Sequence, residues 1–297
     1  MTTTLSRERD SARSIYTVER LTDREAIRGL LLPDKAYAAY ALAQLEPGLY
    51  RLADWYAASG PEGAALVLHS RGGLGRALFA TGHPAALDAV LSLHPGSRFS
   101  FGSLRPEHRR ALERYFVFTR PQTMLRMSVS AADFKPAEGE AVRLTGRDTA
   151  VVNRLYASES GSSAYQRRHI EDGVYYGVFI DNFLISIAGT HVVSASEGVA
   201  VVGNVFTHPM YRGRGLAAVA TSATTSALLE RCPLVVLTVE KENDPAVRVY
   251  QRLGFETQCT LHETPLIRKE PIGALSLVRR LIAGWRGRAE GKEIVLR

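Results

Sequence analysis

The sequence predicts an α/β protein of the α+β kind, with mixed, mostly antiparallel sheets flanked by helices, arranged as two successive units. Three observations carry this. The chain has 297 residues, 45% apolar and 23% charged, enough to build two cores. Apolar runs of strand length come in hairpin-like groups and are separated by helix-length segments. Between residues 131 and 141 the apolar periodicity is lost and Pro136 and Gly139 gather, which reads as a linker. The expected organisation is a disordered lead over 1–20, a first α/β domain over 21–130, the linker, a second domain over 142–267, and a basic tail over 268–297 that would be helical.

The elements follow in order. "LTDREAIRGLLL" has capping-box spacing, with Thr22 as N-cap and Glu25 three residues on, so a helix starts there. Pro33 interrupts it, and "DKAYAAYALAQLEP" continues in helical style. "GAALVLHS" and "GRALFATGHP" read as hairpin partners joined by the turn in "RGGLGRA". "PAALDAVLSLHP" is a helix, "SRFSFGSL" a strand, "RPEHRRALERYF" a helix with Pro106 near its start, and "TMLRMSVS" a strand. In the second unit "GRDTAVVNRLYAS" is a helix, "SESGSS" a polar loop and "SAYQRRHIED" a short helix. "GVYYGVFI" and "FLISIAGTHVVS" form a hairpin around Asp181-Asn182. "GVAVVGNVFT" is a third strand and "GLAAVATSATTSALLERC" a long Ala-rich helix. "PLVVLTVE" is a strand, "NDPAVRVYQRLGF" a helix closed by Gly254, and "ETQCTLHETPLI" the last strand region.

Composition excludes several classes. The net charge is +7, but residues 268–297 hold eight Lys/Arg against three Glu, a surplus of +5 that leaves +2 for the rest. A nearly neutral body argues against nucleic acid as partner. The tail, with Leu275, Val278, Leu281, Ile282 and Trp285 near one helical face, is expected to dock on its own domain or across a dimer, with a membrane-surface role as the alternative. No run is long and apolar enough to span a membrane, and no secretory leader is read at the N-terminus. Cys232 and Cys259 form no CxxC pair, so no disulfide framework or metal site is expected, and the expected location is cytoplasmic.

The chemistry concentrates in "HPMYRGRGLA", His208–Ala217. A strand precedes it and a helix follows. The first N–H groups of a helix lack partners and its dipole is positive there. Glycines at 213 and 215 let an anion approach the backbone. A diphosphate is the natural guest, with Arg212 and Arg214 adding charge or facing water. The P-loop pattern fails because no lysine follows, and G-x-G-x-x-G fails because Ala218 stands at the third position.

With "NDPAVRVYQRLGFE" about thirty residues later, this stretch resembles the GNAT superfamily of acyl-CoA-dependent N-acyltransferases. Arg212-Gly213-Arg214-Gly215-Leu216-Ala217 is similar to its R/Q-x-x-G-x-G/A signature. Asn243, Ala246, Tyr250, Gly254 and Phe255 match its second pattern. The resemblance covers about 142–267 and implies a GNAT fold; the first unit echoes the same fold without the glycine signature. It further implies that Val205, Phe206 and Thr207 bind the pantetheine arm, that residues 212–217 hold the pyrophosphate, and that Asn243, Ala246 and Tyr250 close the slot. Acetyl-CoA, or another acyl-CoA, is the implied cofactor. Tyr250 would protonate the leaving thiolate, although its position also suits a core face. A backbone N–H near Phe206 would hold the oxyanion.

The strand before the loop carries no carboxylate, so the base stays open among Glu240, His191 and a water chain; Asn204 could only position water. Ser158, Ser160, Tyr165, Arg168 and His191 are candidate contacts for the acceptor, a small-molecule amine or amino-acid-like compound. The expected activity is direct transfer of an acyl group, acetyl in the first instance, to a primary amine. The alternatives are a catalytically silent acyl-CoA sensor or scaffold, and an acyl-CoA:amino acid N-acyltransferase of the glycine type. The resemblance also admits a homodimer.

Overall fold

The computed structural model describes residues 15–73, 75–160, 164–269 and 292–296. The first half runs β1 (Ile15–Leu21), α1 (Arg24–Leu31), α2 (Ala39–Ala43), α3 (Pro47–Tyr50), β2 (Ala53–Gly60), β3 (Gly63–Ser70), β4 (Ala77–Gly82), α4 (Pro84–Leu93), β5 (Phe99–Leu104), α5 (Arg109–Glu113), β6 (Phe116–Phe118) and β7 (Gln122–Val129). The second runs β8 (Val142–Arg143), α6 (Thr149–Ser160), α7 (Arg167–Glu171), β9 (Tyr176–Ile180), β10 (Phe183–Ser194), β11 (Val199–Thr207), α8 (Leu216–Leu229), β12 (Leu234–Glu240), α9 (Asp244–Arg252) and β13 (Glu256–Arg268), followed by β14 (Lys292–Leu296).

The two halves repeat one order: a strand, a helical layer, a three-strand meander, a helix, a strand parallel to the last of the meander, a short helix and a final strand. All strands join one mixed, mostly antiparallel sheet in the order β14-β1-β2-β3-β4-β5-β13-β7-β12-β11-β10-β9-β8, with β6 against β13. The final strands are exchanged. β13 pairs β5 of the first half, and β7 pairs β12 of the second. β7 and β13 also pair with each other. The sheet therefore crosses the segment 131–141, which holds neither helix nor strand and packs on α8 through Gly139 against Val219.

The repeat extends to atomic detail. Both parallel pairs end in His-Pro, His83-Pro84 and His208-Pro209, and each imidazole Nδ1 accepts an N–H two residues on, from Ala85 and Met210. After Pro84, α4 begins at once, whereas six residues separate Pro209 from α8. Pro84 lacks an N–H and His83 caps the next free donor, so the first half has lost the means to cradle an anion at this helix.

The sheet's two faces carry separate cores. Met127, Val202, Val235, Leu237 and Val239 pack with α8 and α9 residues. On the opposite face α1 and α2 of the first half cover not only Trp55 and Leu66 but also Val199, Val201 and Val236 of the second. Burial of each such valine contributes roughly 1.5–3 kcal/mol, so the halves share a core.

Several local expectations need correction. The N-cap of α1 is Asp23, which accepts from Glu25 N–H, rather than Thr22. Ile15–Leu21 forms β1 inside the stretch expected to be a disordered lead, because β2 and β14 flank it; Ala53–Gly60 is a strand the pattern did not reveal. α6 extends into the expected polar loop as far as Ser160. The hairpin at Asp181-Asn182 has φ of +49° and +64°, as a two-residue type I′ turn requires. The expected tail helix lies outside the described residues, and Lys292–Leu296 beyond it are strand. Both cysteines are free. Among the described residues no helix is long and apolar enough to cross a membrane, and no metal-binding cluster occurs.

Candidate functional site

β11 and β12 are parallel neighbours only from Val199 opposite Leu234 to Val202 opposite Leu237. Beyond that they part. The cause lies in β11, where a bulge falls between the pairs Gly189–Gly203 and Ile187–Phe206. Asn204 sits in it at φ +54°, a conformation Asn tolerates better than most residues. The parting opens a cleft of about 940 Å³ through the sheet, at the upper end of the range for small-molecule sites.

The cleft gathers most of the residues picked out in the sequence. Val205, Phe206, Thr207, Arg212, Gly213, Gly215, Leu216 and Ala217 line one side, and Glu240, Asn243, Ala246 and Tyr250 the other, with His191 between them. Gly213 and Gly215 both have φ of +79°, and a Cβ built on either meets nothing within 4 Å. These glycines are thus required by backbone conformation and not by protein packing. Gly215 caps α8 without a side chain, and only from Ala218 onward do the N–H groups turn back to the Gly215 carbonyl, so those of Leu216 and Ala217 stay available to an anion. The donor set fits a diphosphate.

The arginines are less free than the glycines. Arg212 binds Glu159 at 2.5 Å and donates Nε–H to the Thr207 carbonyl. This contact holds the Glu159 carboxyl below its ordinary pKa. Arg214, off the cleft wall, stacks 5.0 Å from the Tyr211 ring. Asn243 lines the cleft, but its Oδ1 is engaged as the N-cap of α9, accepting from Ala246 N–H.

Tyr250 is buried on α9, edge-on to Phe255. Its hydroxyl has no hydrogen-bond partner among the described residues, and burial pushes its pKa up to about 12. At neutral pH it is a protonated donor. Glu240, at the exposed end of β12, accepts from Gln122 Nε2 at 2.7 Å. His191 is hydrogen-bonded through both ring nitrogens, to Tyr40 and Asn204, and burial lowers its pKa.

The remaining acceptor candidates stand away from the cleft wall. Ser158 donates to the Leu155 carbonyl, Arg168 lies on α7, and the Ser160 side chain is outside the described residues. Tyr165 stacks on Tyr156 at 5.0 Å, and Tyr156 in turn packs on Phe206, so it reaches the cleft only through its neighbours. Met124, Glu159, Tyr211 and Thr238 also line the cleft. Met124 belongs to the exchanged strand β7, which no local pattern could have placed here. The Gly-Asn pair within a strand was the legible signal of a bulge.

A sheet parted between parallel strands beside a glycine-capped helix start defines an α/β architecture with an open cleft at the strand ends, and comparison with known proteins specifies it. Residues 148–255 match the acetyltransferase (GNAT) family model, and the second half of this chain is a GNAT domain. Curated relatives include an acetyltransferase of Yersinia pestis (strain Pestoides F), 40% identical over 55 residues, 18% of this chain and 39% of that protein. Another, of Sodalis glossinidius, is 40% identical over 52 residues, 17% of this chain and 37% of that protein. The matches thus span about two fifths of these relatives' length. Among solved structures, a Drosophila protein superposes with a TM-score of 0.59 at 15% identity, covering 86% of this chain and 99% of its own. A GCN5-related N-acetyltransferase from Kribbella flavida gives 0.55 at 21% identity, covering 80% and 97%. One from Sphaerobacter thermophilus gives 0.52 at 18%, covering 88% and 98%. At these identities the likeness is one of fold, and its extent fits a second GNAT-like lobe in the first half.

Proposed function

We propose that this chain is an acyl-CoA-dependent N-acyltransferase that moves an acyl group, acetyl in the first instance, to a primary amine on a small molecule or amino-acid-like acceptor. The observation that carries the reading is the through-sheet cleft, with a left-handed glycine pair and free helix N–H groups at one end and the Tyr250 hydroxyl inside it. Coenzyme A would supply the activated acyl thioester. The N–H groups of residues 213–217 hold its diphosphate, and the parted edge of β11 from Val205 to Thr207 aligns the pantetheine arm.

The amine attacks the thioester carbonyl directly, since neither cysteine lines the cleft. A new C–N bond forms, the C–S bond breaks, and the Tyr250 O–H gives its proton to the leaving sulfur. A backbone N–H near Phe206 receives the charge developing on the carbonyl oxygen. Glu240, the carboxylate at the β12 edge of the cleft, takes the amine proton.

One observation favours a second reading. β11 carries no carboxylate, which suits a silent acyl-CoA sensor. Thiol release from acetyl-CoA against a panel of amines and amino acids separates the two. Turnover with some amine is expected; tight binding without thiol release would leave the sensor. Calorimetric titration with acetyl-CoA tests both together, and no binding at high micromolar concentration would remove both. Tyr250→Phe should lower kcat by about 100-fold, within the range for general acid catalysis, with CoA affinity kept.

A further inference from the structure

Asn204 holds its positive φ at the point where β11 leaves β12. A left-handed non-glycine residue inside a strand persists only where its surroundings fix it. Here they do so from several directions. Its carbonyl accepts from Tyr156 Oη at 2.6 Å. Its Nδ2 donates to Tyr175 Oη at 3.0 Å and to the Thr190 carbonyl at 3.4 Å. Because that carbonyl can only accept, Oδ1 must be the atom that faces His191 Nε2 at 3.3 Å. His191 Nε2 therefore carries the hydrogen, and Nδ1 is bare. The bare nitrogen accepts from Tyr40 Oη at 2.7 Å.

The hydrogen bonds thus run in one sense, from Tyr40 to His191 to Asn204 to Thr190. Every residue of this series belongs to the second half except Tyr40, which comes from α2 of the first. Tyr40 is itself held, with the buried Arg126 guanidinium 5.0 Å from its ring centroid and Arg126 donating to Ser103 Oγ. The imidazole lies against Gly203, where an added Cβ would come within 2.4 Å of Nε2.

We propose that Tyr40 is a positioning residue for the cleft: through His191 it fixes the Asn204 bulge and so aims the backbone N–H of Val205, on the parted edge of β11, at the reacting carbonyl, while Phe206 stays paired with Ile187 of β10. This rests on the acyltransferase reading for its catalytic consequence, but the structural consequence stands without it. It also gives the first half a task, since that half has lost its own anion loop. The N-terminal lobe supplies the anchor that keeps the other lobe's cleft in register.

The test uses the full chain. In Tyr40→Phe, backbone amide hydrogen exchange at Phe206, whose N–H faces Ile187 of β10 beside the bulge, should accelerate about tenfold or more, as expected when a buried anchoring hydrogen bond is lost, while exchange in α4 and β3 stays unchanged. If thiol release is observed in the wild type, kcat should fall about tenfold with the Kd for CoA within twofold. Asn204→Gly adopts the positive φ without a side-chain anchor, so adding Tyr40→Phe to it should change neither quantity further. Unchanged exchange at Phe206 in Tyr40→Phe would overturn the proposal, as would uniform acceleration across the protein. Independent, multiplying effects of the two substitutions would overturn it too. Absence of turnover in the wild type would refute the enzyme reading alone, because the exchange measurement needs no activity.

Discussion

Replacing Gly215 by alanine tests the anion cradle most directly. Gly215 has φ +79° and ψ −2° as the cap of α8, and an added methyl would touch no protein atom within 4 Å. Steric conflict inside the protein therefore contributes nothing. What remains is the cost of the left-handed conformation for an L-residue with a Cβ, about 1–2 kcal/mol. The loop is exposed and can relax in the free protein, so this cost falls on the bound state, where the N–H groups must converge on the diphosphate. It corresponds to a loss of roughly 5- to 30-fold in CoA affinity. Asparagine tolerates left-handed backbone better than alanine, so Gly215→Asn should lose less if conformation alone matters, and as much if the Cβ itself meets the phosphate. Calorimetric titration with CoA and with pantetheine, which lacks the diphosphate, separates the cradle from general disturbance. CoA binding unchanged in Gly215→Ala, or CoA and pantetheine weakened equally, would refute the reasoning.

Three further outcomes are expected. Gly254 has φ +91°, and a Cβ there would stand 2.1 Å from the Asp133 carbonyl oxygen, so Gly254→Ala should cost about 3 kcal/mol or more and lower the melting temperature by roughly 6–12 °C in a thermal melt. His69 is buried, and burial lowers its pKa from 6.5 to about 4; the folded state then resists a proton that the unfolded chain accepts, so stability is full above pH 6.5 and is lost as pH falls towards 4. That loss amounts to about 3 kcal/mol, and urea titrations at several pH values should show a correspondingly flatter profile in His69→Gln than in the wild type. Arg212→Ala should leave the thermal melt essentially unchanged, because the Arg212–Glu159 pair is half exposed and such pairs contribute little, while an NMR titration finds the Glu159 pKa higher than in the wild type, where Arg212 lowers it.

Local elements were legible where local physics decides them. The His208–Ala217 turn, the Asp181-Asn182 hairpin and the Gly254 stop are each set by a residue tolerant of positive φ, and each announces itself in sequence. In the last, Phe255 N–H reaches back to the Tyr250 carbonyl, the pattern expected of a glycine-ended helix. β1 and β2 were obscure because Thr17, Glu19, Asp54 and Ser59 interrupt their apolar runs and their stability comes from neighbours on both sides. The glycine-loop side of the cleft was readable because its residues lie close together in sequence. The contacts made across the two halves were not. Tyr40, Met124 and His191 meet only through packing between the halves, and Tyr40 sits in an Ala-rich stretch whose helical pattern hides what one hydroxyl touches.

The exchange of final strands carries a consequence for how the halves depend on each other. From Val235 to Glu240, β12 is paired on its outer side by Val129 to Met124 of β7, and β7 is bonded in turn to β13. Removing the first half would expose that edge of β12, leave β13 without its β5 and β7 neighbours, and uncover Val199, Val201 and Val236, which α1 and α2 now bury. An exposed apolar edge strand pairs with other chains. A fragment of residues 131–269 should therefore aggregate or oligomerise on size-exclusion chromatography, although it spans every residue matched by the family model. Addition of β7 alone, in a fragment starting at residue 120, should not rescue it, because the α1–α2 face stays open. A monomeric 131–269 fragment that melts cooperatively and binds CoA would show that the GNAT domain is self-sufficient, and that the first lobe is an appendage.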